Sequence, residues 1–309
     1  MRSFFMRRLM QIIPVLLIII LIVFTLVYLA GDPVALMLPA DATEEDVETL
    51  RKALKLDRPY IVQLGAYIGH LLTGDFGTSF HYNEPALPLV LERLPATIEL
   101  ALAAMIVAIL ISIPLGIWSA MKRNSTVDVA ITGTSVLGAA IPNFWLGIML
   151  ILIFAVNYKW FPVSGRGSLA HLVLPAITLG TGLAATIARL MRSSLLDVLS
   201  QDYIRTAKAK GIRQWPIIFV HSLRNALIPV VTMIALQAGG LMGGALVTEY
   251  IFAWPGIGQL LIQSIHVRDM SVIQAATFMI ALIVIGLNLF ADIMYRWLDP
   301  RITFDERSM

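Results

Sequence analysis

The chain has 309 residues, of which 58% are hydrophobic and 14% charged, with a net charge of +3 and no cysteine. A mean hydropathy of +0.81 is far more than a soluble core needs and marks an integral membrane protein. Disulfides and thiolate metal sites are excluded, and so small a net charge gives no sign of nucleic-acid binding.

The first apolar run, Leu9 to Ala30, follows Arg2, Arg7 and Arg8 as in a signal peptide. It is too long for a signal h-region, and Tyr28 spoils a small-residue cleavage site, so it reads as an uncleaved anchor. Residues 31–95 carry ten acids against five bases, and a loop of that length is expected to fold locally. Thr43-Glu44-Glu45-Asp46 has the form of a capping box, with Val47, Leu50 and Leu54 as the helix's apolar stripe. A second external helix is predicted from Asp57, with Pro59 in its first turn, Ile61, Leu64, Ile68 and Leu71 buried, and Gly74 as its stop.

Five more runs long enough to cross a bilayer are predicted near Ala96 to Met121, Val129 to Asn157, Leu172 to Leu196, Leu223 to Val247 and Val272 to Tyr295. The expected fold is therefore an all-α membrane protein of six transmembrane helices, since a barrel would show short alternating segments. Lys and Arg gather at the N-terminus, at Lys122-Arg123, between Arg189 and Arg224, and at Arg296, Arg301 and Arg307. That asymmetry predicts cytoplasmic termini, with residues 31–95 outside.

Polar groups at membrane depth are few. Glu99 is expected in the first turn of the second span, where the helix dipole favours a carboxylate. Asn288, Asp292 and Arg296 form an i, i+4 ladder at the inner end of the last span. Asn143, beside Pro142 in the third span, fits either a translocation pathway or a simple packing kink. Gly239, Gly240, Gly243 and Gly244 form overlapping small-x-x-x-small pairs that either let the fifth span pack closely at the centre or line a pore. The external segment EYIFAWPGIGQLL, Glu249 to Leu261, combines aromatics expected in the interfacial belt with a Pro255-Gly256 turn, and predicts a short re-entrant piece or cap.

Catalytic signatures are missing. There is no G-x-x-x-x-G-K-[ST] phosphate loop, no H-E-x-x-H and no G-x-S-x-G, and the five histidines lack ligand spacing. No internal repeat supports an inverted-repeat transporter.

The segment YIRTAKAKG, Tyr203 to Gly211, sets three cations in an apolar chain. Leu199, Tyr203 and Ala207 fall on one helical face with Ile204 beside it, while Arg205, Lys208, Lys210 and Arg213 point elsewhere. Asp202 caps or charge-complements the start, and Gly211 supplies the stop. This short amphipathic helix either rests on anionic lipid or docks a soluble partner.

YIRTAKAKG followed by HSLRNALIPV resembles the cytoplasmic loop of the ATP-binding cassette importer permeases, specifically the dipeptide, oligopeptide and nickel branch. GDFGTSF (Gly74 to Phe80), RLPATIELA (Arg93 to Ala101), IPNFWLG (Ile141 to Gly147), EYIFAWPGIG and LDPRI (Leu298 to Ile302) agree along nearly the whole chain. The long first external loop is similar to that of the first, B-type, permease of such importers. The general family motif, Glu-Ala-Ala, three residues, Gly, then Ile-x-Leu-Pro, is only partly kept. Arg205, Thr206 and Ala207 stand at its first three places, Gly211 is retained, and His221, Leu223 and Arg224 lie near its end.

The resemblance implies a type I importer permease with an anchor at 1–30, an external helical loop at 31–95, a core of five spans at 96–297 with a coupling loop at 198–222, and a cytoplasmic tail at 298–309. It implies pairing with a second permease as a heterodimer, two ATP-binding subunits that use ATP and Mg, a substrate-binding protein outside, and a bacterial or archaeal cytoplasmic membrane. Tyr203, Thr206, Ala207, Lys208, Ala209, Lys210 and Gly211 would contact the ATPase. The chain would bind no cofactor and catalyse nothing, and its cargo would be peptide-like, with glutathione, nickel complexes and haem-like solutes also within the family's reach. The rival from another class is a self-sufficient channel or secondary transporter whose basic helix binds only lipid; a membrane enzyme is third.

Overall fold

The computed structural model describes residues 2–29, 34, 38, 43–53 and 56–298. Residues 299–309, which hold most of the expected tail, and the side chains of Arg2, Arg7, Arg8, Leu54 and Arg296 lie outside the described part. The chain divides into two compact units, Met1–Thr97 with Pro255–Ile285, and Ile98–Trp254 with Gly286–Met309.

In the first unit, α1 (Arg2–Leu29) is followed by α2 (Glu44–Ala53) and α3 (Tyr60–Leu72). The capping box at α2 forms as the sequence predicts. Thr43 donates its hydroxyl and its amide to Asp46 Oδ2, at 2.7 and 2.9 Å, and accepts the Asp46 amide at 3.2 Å. Helix α3 starts at Tyr60, three residues later than expected, because Pro59 serves as its N-cap in extended conformation. Its ordering groups are aromatic: Phe24 of α1 packs against Tyr60 and Tyr67 with ring centroids 5.4 Å apart in both pairs. Thr25 Oγ1 and Tyr60 Oη share a 2.7 Å hydrogen bond. Leu64 is buried, but Ile61 is 71% exposed, so the inner face of α3 is set by these rings rather than by the full predicted apolar stripe. The helix stops at Gly74 (φ +76°), as expected.

The GDFGTSF stretch closes this unit. Phe76 enters a core with Ala86, Val90, Ile257, Leu260, Val272 and Ala276. Ser79 donates to buried Asp269 and accepts the Tyr82 amide at 2.9 Å. Asp269 in turn accepts the Val272 amide at the start of a helix beginning at Met270. Thr97 of RLPATIELA serves a second helix start in the same way. Its hydroxyl accepts the amide of Ile257 at 2.9 Å, satisfying an otherwise orphan donor.

The second unit is built on α4 (Ala86–Met121), whose residues 98–121 belong to it, α5 (Thr126–Ala140), α6 (Asn143–Leu150, continued as a π-helix over Ile151–Asn157), α7 (Leu169–Leu199), α8 (Asp202–Ala209) and α9 (Leu223–Ile251). Two further helices are α10 (Ile257–Val267) and α11 (Met270–Leu298). Three expectations change here. Helix α4 begins ten residues before Ala96, so Glu99 is interior and the dipole explanation for it falls. The third span is not one kinked helix: α5 and α6 meet at 102°. Pro142 forces Ile141 out of helical conformation and is itself extended at ψ 134°, so the chain turns where a lone helical proline would only kink it. Among the described residues, five helices can cross a membrane by length and composition, or six when the bent pair counts as one span.

The third change concerns the centre. The glycine pattern places the fifth span there, yet 56% of the apolar window of α7 is buried against 33% for the helix carrying the four glycines. Helix α7 approaches α4 so closely that a Cβ on Gly180 would lie 2.6 Å from the carbonyl oxygen of Ala104, and one on Gly116 2.7 Å from that of Ala188.

Gly180→Ala is therefore expected to lower stability by about 1–3 kcal/mol, because the obstructing atom is backbone. Gly240→Ala, where an added Cβ meets nothing within 4 Å, should carry no packing cost; thermal unfolding of the two variants in detergent compares them. At α2, the Thr43 hydroxyl and amide hold the Asp46 carboxyl below its ordinary value of 3.8. The stabilisation is thus complete above that value and is lost as pH falls through the lower folded-state value. Amide protection in Glu44–Ala53, taken relative to the intrinsic exchange rate at each pH, should fall on acidification, and Asp46→Asn should abolish that pH dependence.

Candidate functional site

The most distinctive exposed feature of the second unit is α8 with its flanking turns. Only Ile204 and Ala207 of the helix are buried, and they pack against Ile217 with Leu199 and Ile212 around them. Tyr203, Thr206, Lys208, Ala209, Lys210 and Gly211 are exposed. Ala207, expected among the contact residues, is turned into its own chain and buttresses the helix instead. Tyr203 is 45% exposed rather than on the buried face, and its hydroxyl accepts a 2.9 Å hydrogen bond from Asn225 Nδ2 of α9.

The ends of α8 follow from local chemistry. Gln201 occupies the N-cap with no side-chain bond, so Asp202 does not cap. It sits in the first turn, where a carboxylate complements the helix dipole, and reaches Arg205 at 3.4 Å. At the other end Gly211 takes φ +75°. Its amide donates to Lys208 O at 3.0 Å and that of Ile212 to Ala207 O at 3.3 Å. This is the Schellman pattern, and the Ile212–Ala207 contact is its usual apolar seal.

The second group of expected site residues meets at the bend. Asn143 opens α6 just after the 102° break. Its side-chain amide lies between two glycines of other helices: a Cβ on Gly182 of α7 would be 3.6 Å from Oδ1, and one on Gly244 of α9 3.6 Å from Nδ2. No glycine stands four residues before or after Gly182, so the glycine spacing does not single it out. The four glycines of α9 divide. Gly239 is buried and a Cβ on Gly244 would lie 2.8 Å from Leu179, whereas Gly240 and Gly243 face open space. Packed and open positions therefore both occur, interleaved along one face of the helix.

Two ion pairs, neither legible in the sequence, fix this unit. Glu99 accepts from Arg166 Nε and Nη2 at 2.8 and 2.5 Å, and the same guanidinium lies 5.7 Å from the Trp254 ring centroid. Trp254 and Phe252, expected at the membrane interface, are each 1% exposed. Phe252 O accepts the Gly165 amide at 2.9 Å and its ring packs on Ala155 and Leu174, so these two aromatics belong to the interior of the unit and not to a lipid belt. The other pair joins Asp128 to Arg192. No group of three or more potential metal-ligating His, Asp or Glu side chains occurs among the described residues.

Comparison with known proteins matches residues 112–304 to the family described as binding-protein-dependent transport system inner membrane component, and residues 1–101 to its N-terminal companion family. The chain is 41% identical to a dipeptide transport system permease protein of Alkalihalophilus pseudofirmus and 42% identical to an oligopeptide transport system permease protein of Bacillus subtilis. It is also 42% identical to a glutathione transport system permease protein of Salmonella typhi. Each match covers 98% of this chain and 100% of the relative. Among solved structures, an inward-facing methionine ABC transporter matches with a TM-score of 0.57 at 18% identity, over 68% of this chain and 96% of that one. An amino acid ABC transporter matches with a TM-score of 0.52 at 12% identity, over 68% and 94%. At these identities the likeness is one of fold.

At the α8 stop, a Cβ on Gly211 would meet nothing within 4 Å, so any loss on substitution is conformational. Gly211→Ala should cost about 1–2 kcal/mol of local stability through its left-handed φ, and Gly211→Asn less. Hydrogen exchange at the amides of residues 211 and 212 reads this directly; unchanged protection in the alanine variant would contradict the Schellman assignment.

Proposed function

The chain belongs to the family of binding-protein-dependent transport system inner membrane components, and on that premise we propose that it conducts short peptides. It is a multi-pass membrane permease subunit of an ATP-driven importer and not itself the ATPase. Peptide cargo is supported by the names of relatives matched over their whole length, two of which are named for peptides and one for glutathione. In the proposed assembly it pairs with a different permease and sits on two subunits that bind ATP and Mg. A binding protein delivers cargo on the face bearing residues 31–95, and both termini lie in the cytoplasm, as the Lys and Arg asymmetry favours.

One observation carries the mechanism: α8 is a short helix whose apolar side is spent on its own chain while Tyr203, Thr206, Lys208, Ala209, Lys210 and Gly211 remain exposed. A rigid knob of that kind fits a cleft in a soluble ATPase, and closure of the cleft on nucleotide would displace it as a body. The lining proposed for the pathway is Asn143 with the open surface at Gly240 and Gly243, where a side chain would narrow the passage. Gly239 and Gly244 support it by packing.

The test is purification from a cell that expresses the neighbouring transport subunits. The ATPase should co-purify, and Lys208→Glu with Lys210→Glu should release it while leaving the permease in the membrane. If instead the chain purifies alone and the double variant loses only affinity for vesicles containing phosphatidylglycerol, the helix is a lipid anchor and the coupling role fails. Peptide cargo is checked separately, by the ligand recovered with the partnering binding protein.

A further inference from the structure

Asp128 is the third residue of α5, and its side chain is 5% exposed. Arg192 Nε and Nη2 donate to its two oxygens at 2.6 and 2.7 Å. The Asn124 amide donates to Oδ2 at 2.9 Å and the Ser119 hydroxyl donates to Oδ1. The carboxylate is thus held from α4, from the turn before α5, and from α7 at once. Such a two-pronged, fully satisfied pair is directional as well as attractive. As a source of stability it is a poor choice, since an apolar pair of similar volume does as well without desolvating two charges. What it adds is a fixed register between helices.

That register lies on the route from α8 to the bend. Arg192 is seven residues before the end of α7, and α8 begins three residues beyond that end. Two residues along α7, Ser194 donates to Ala226 O of α9 at 2.8 Å, and the adjacent Asn225 donates to the Tyr203 hydroxyl of α8. On the other side of the clasp, α5 runs from Asp128 straight to Ile141 and Pro142. We propose that Asp128 and Arg192 are positioning residues for transport: they lock the inner end of α7 to α5, so that displacement of α8 is delivered to the α5–α6 bend that carries Asn143. The inference rests on the importer function above and deepens it by naming where motion enters the bent pair.

Spatial continuity alone does not establish coupling, so the test must separate transmission from folding. The complex of permeases, ATPase and binding protein is reconstituted in vesicles. Uptake of tritiated alanyl peptides of two to five residues and ATP hydrolysis are then measured per assembled complex. Asp128→Leu with Arg192→Met replaces the clasp by an apolar contact that should still assemble. The expected result is an uptake rate about tenfold lower, with the half-saturating peptide concentration and binding-protein-stimulated hydrolysis nearly unchanged. Arg192→Lys, which keeps the charge and loses the fork, should lie between this variant and wild type. Full coupling in either variant, or uptake and hydrolysis falling in proportion, overturns the proposal. Failure of the unsubstituted complex to import any of these peptides would instead tell against the peptide-importer function.

Discussion

The close approach of α4 and α7 is the constraint from which the rest of the second unit follows. Apolar surface gives no driving force between helices in lipid, so association depends on shape and on satisfied polar groups. Gly116 and Gly180 remove the side chains that would hold the two backbones apart, each facing a carbonyl oxygen of the other helix. With α7 drawn against α4, Arg192 can reach the Asp128 carboxylate that Ser119 of α4 also holds, and Gly182 comes beside Asn143. Had α7 stood one side-chain layer farther away, the polar clasp would have been left as two costly unpaired groups.

The same economy explains how few charges the apolar helices carry and where the paired ones act. Glu99 with Arg166 fastens a loop to α4, and Asp128 with Arg192 fastens α5 to α7. In the first unit, Asp269 binds Ser79 and the start of α11. None of these groups converges with others into a nucleophile, a general base or a metal site among the described residues. A chain whose polar chemistry is spent on holding helices in register is suited to moving as linked rigid pieces, and the reactive step belongs to other subunits.

Local sequence signals translated well where local chemistry decides the outcome. The Thr43–Asp46 box, the Gly74 and Gly211 stops and the apolar side of α8 at Ile204 were all legible, because each rests on residues within a few positions of one another. Partners distant in sequence were not. Hydropathy trimmed α4 to Ala96 because Glu92, Arg93, Pro88 and Pro95 lower the average without breaking the helix. Pro142 is visible, but a proline in an apolar run either kinks a helix or ends it, and hydropathy does not separate the two; the extended Ile141 and Pro142 make it a turn. Phe252 and Trp254 look interfacial by composition, and only partners distant in sequence bury them, Ala155 and Leu174 around Phe252 and Arg166 beside Trp254.

Helix α8 itself is too short to be stable alone, since eight residues barely repay nucleation. Its persistence must come from Ile204 and Ala207 packing on Ile217, together with the closed turn at Gly211. Ile217 opens the π-helical stretch Ile217–Ser222 that leads into α9. The helix and the root of α9 are therefore one cooperative element: a force on the exposed face of α8 cannot shift it without shifting Ile217. By the same linkage a rearrangement of α9 changes what α8 presents outward. In the proposed importer such signalling is reciprocal, so cargo at the Asn143 end would bias the affinity of the α8 surface for the ATPase as strongly as the ATPase biases the cargo site.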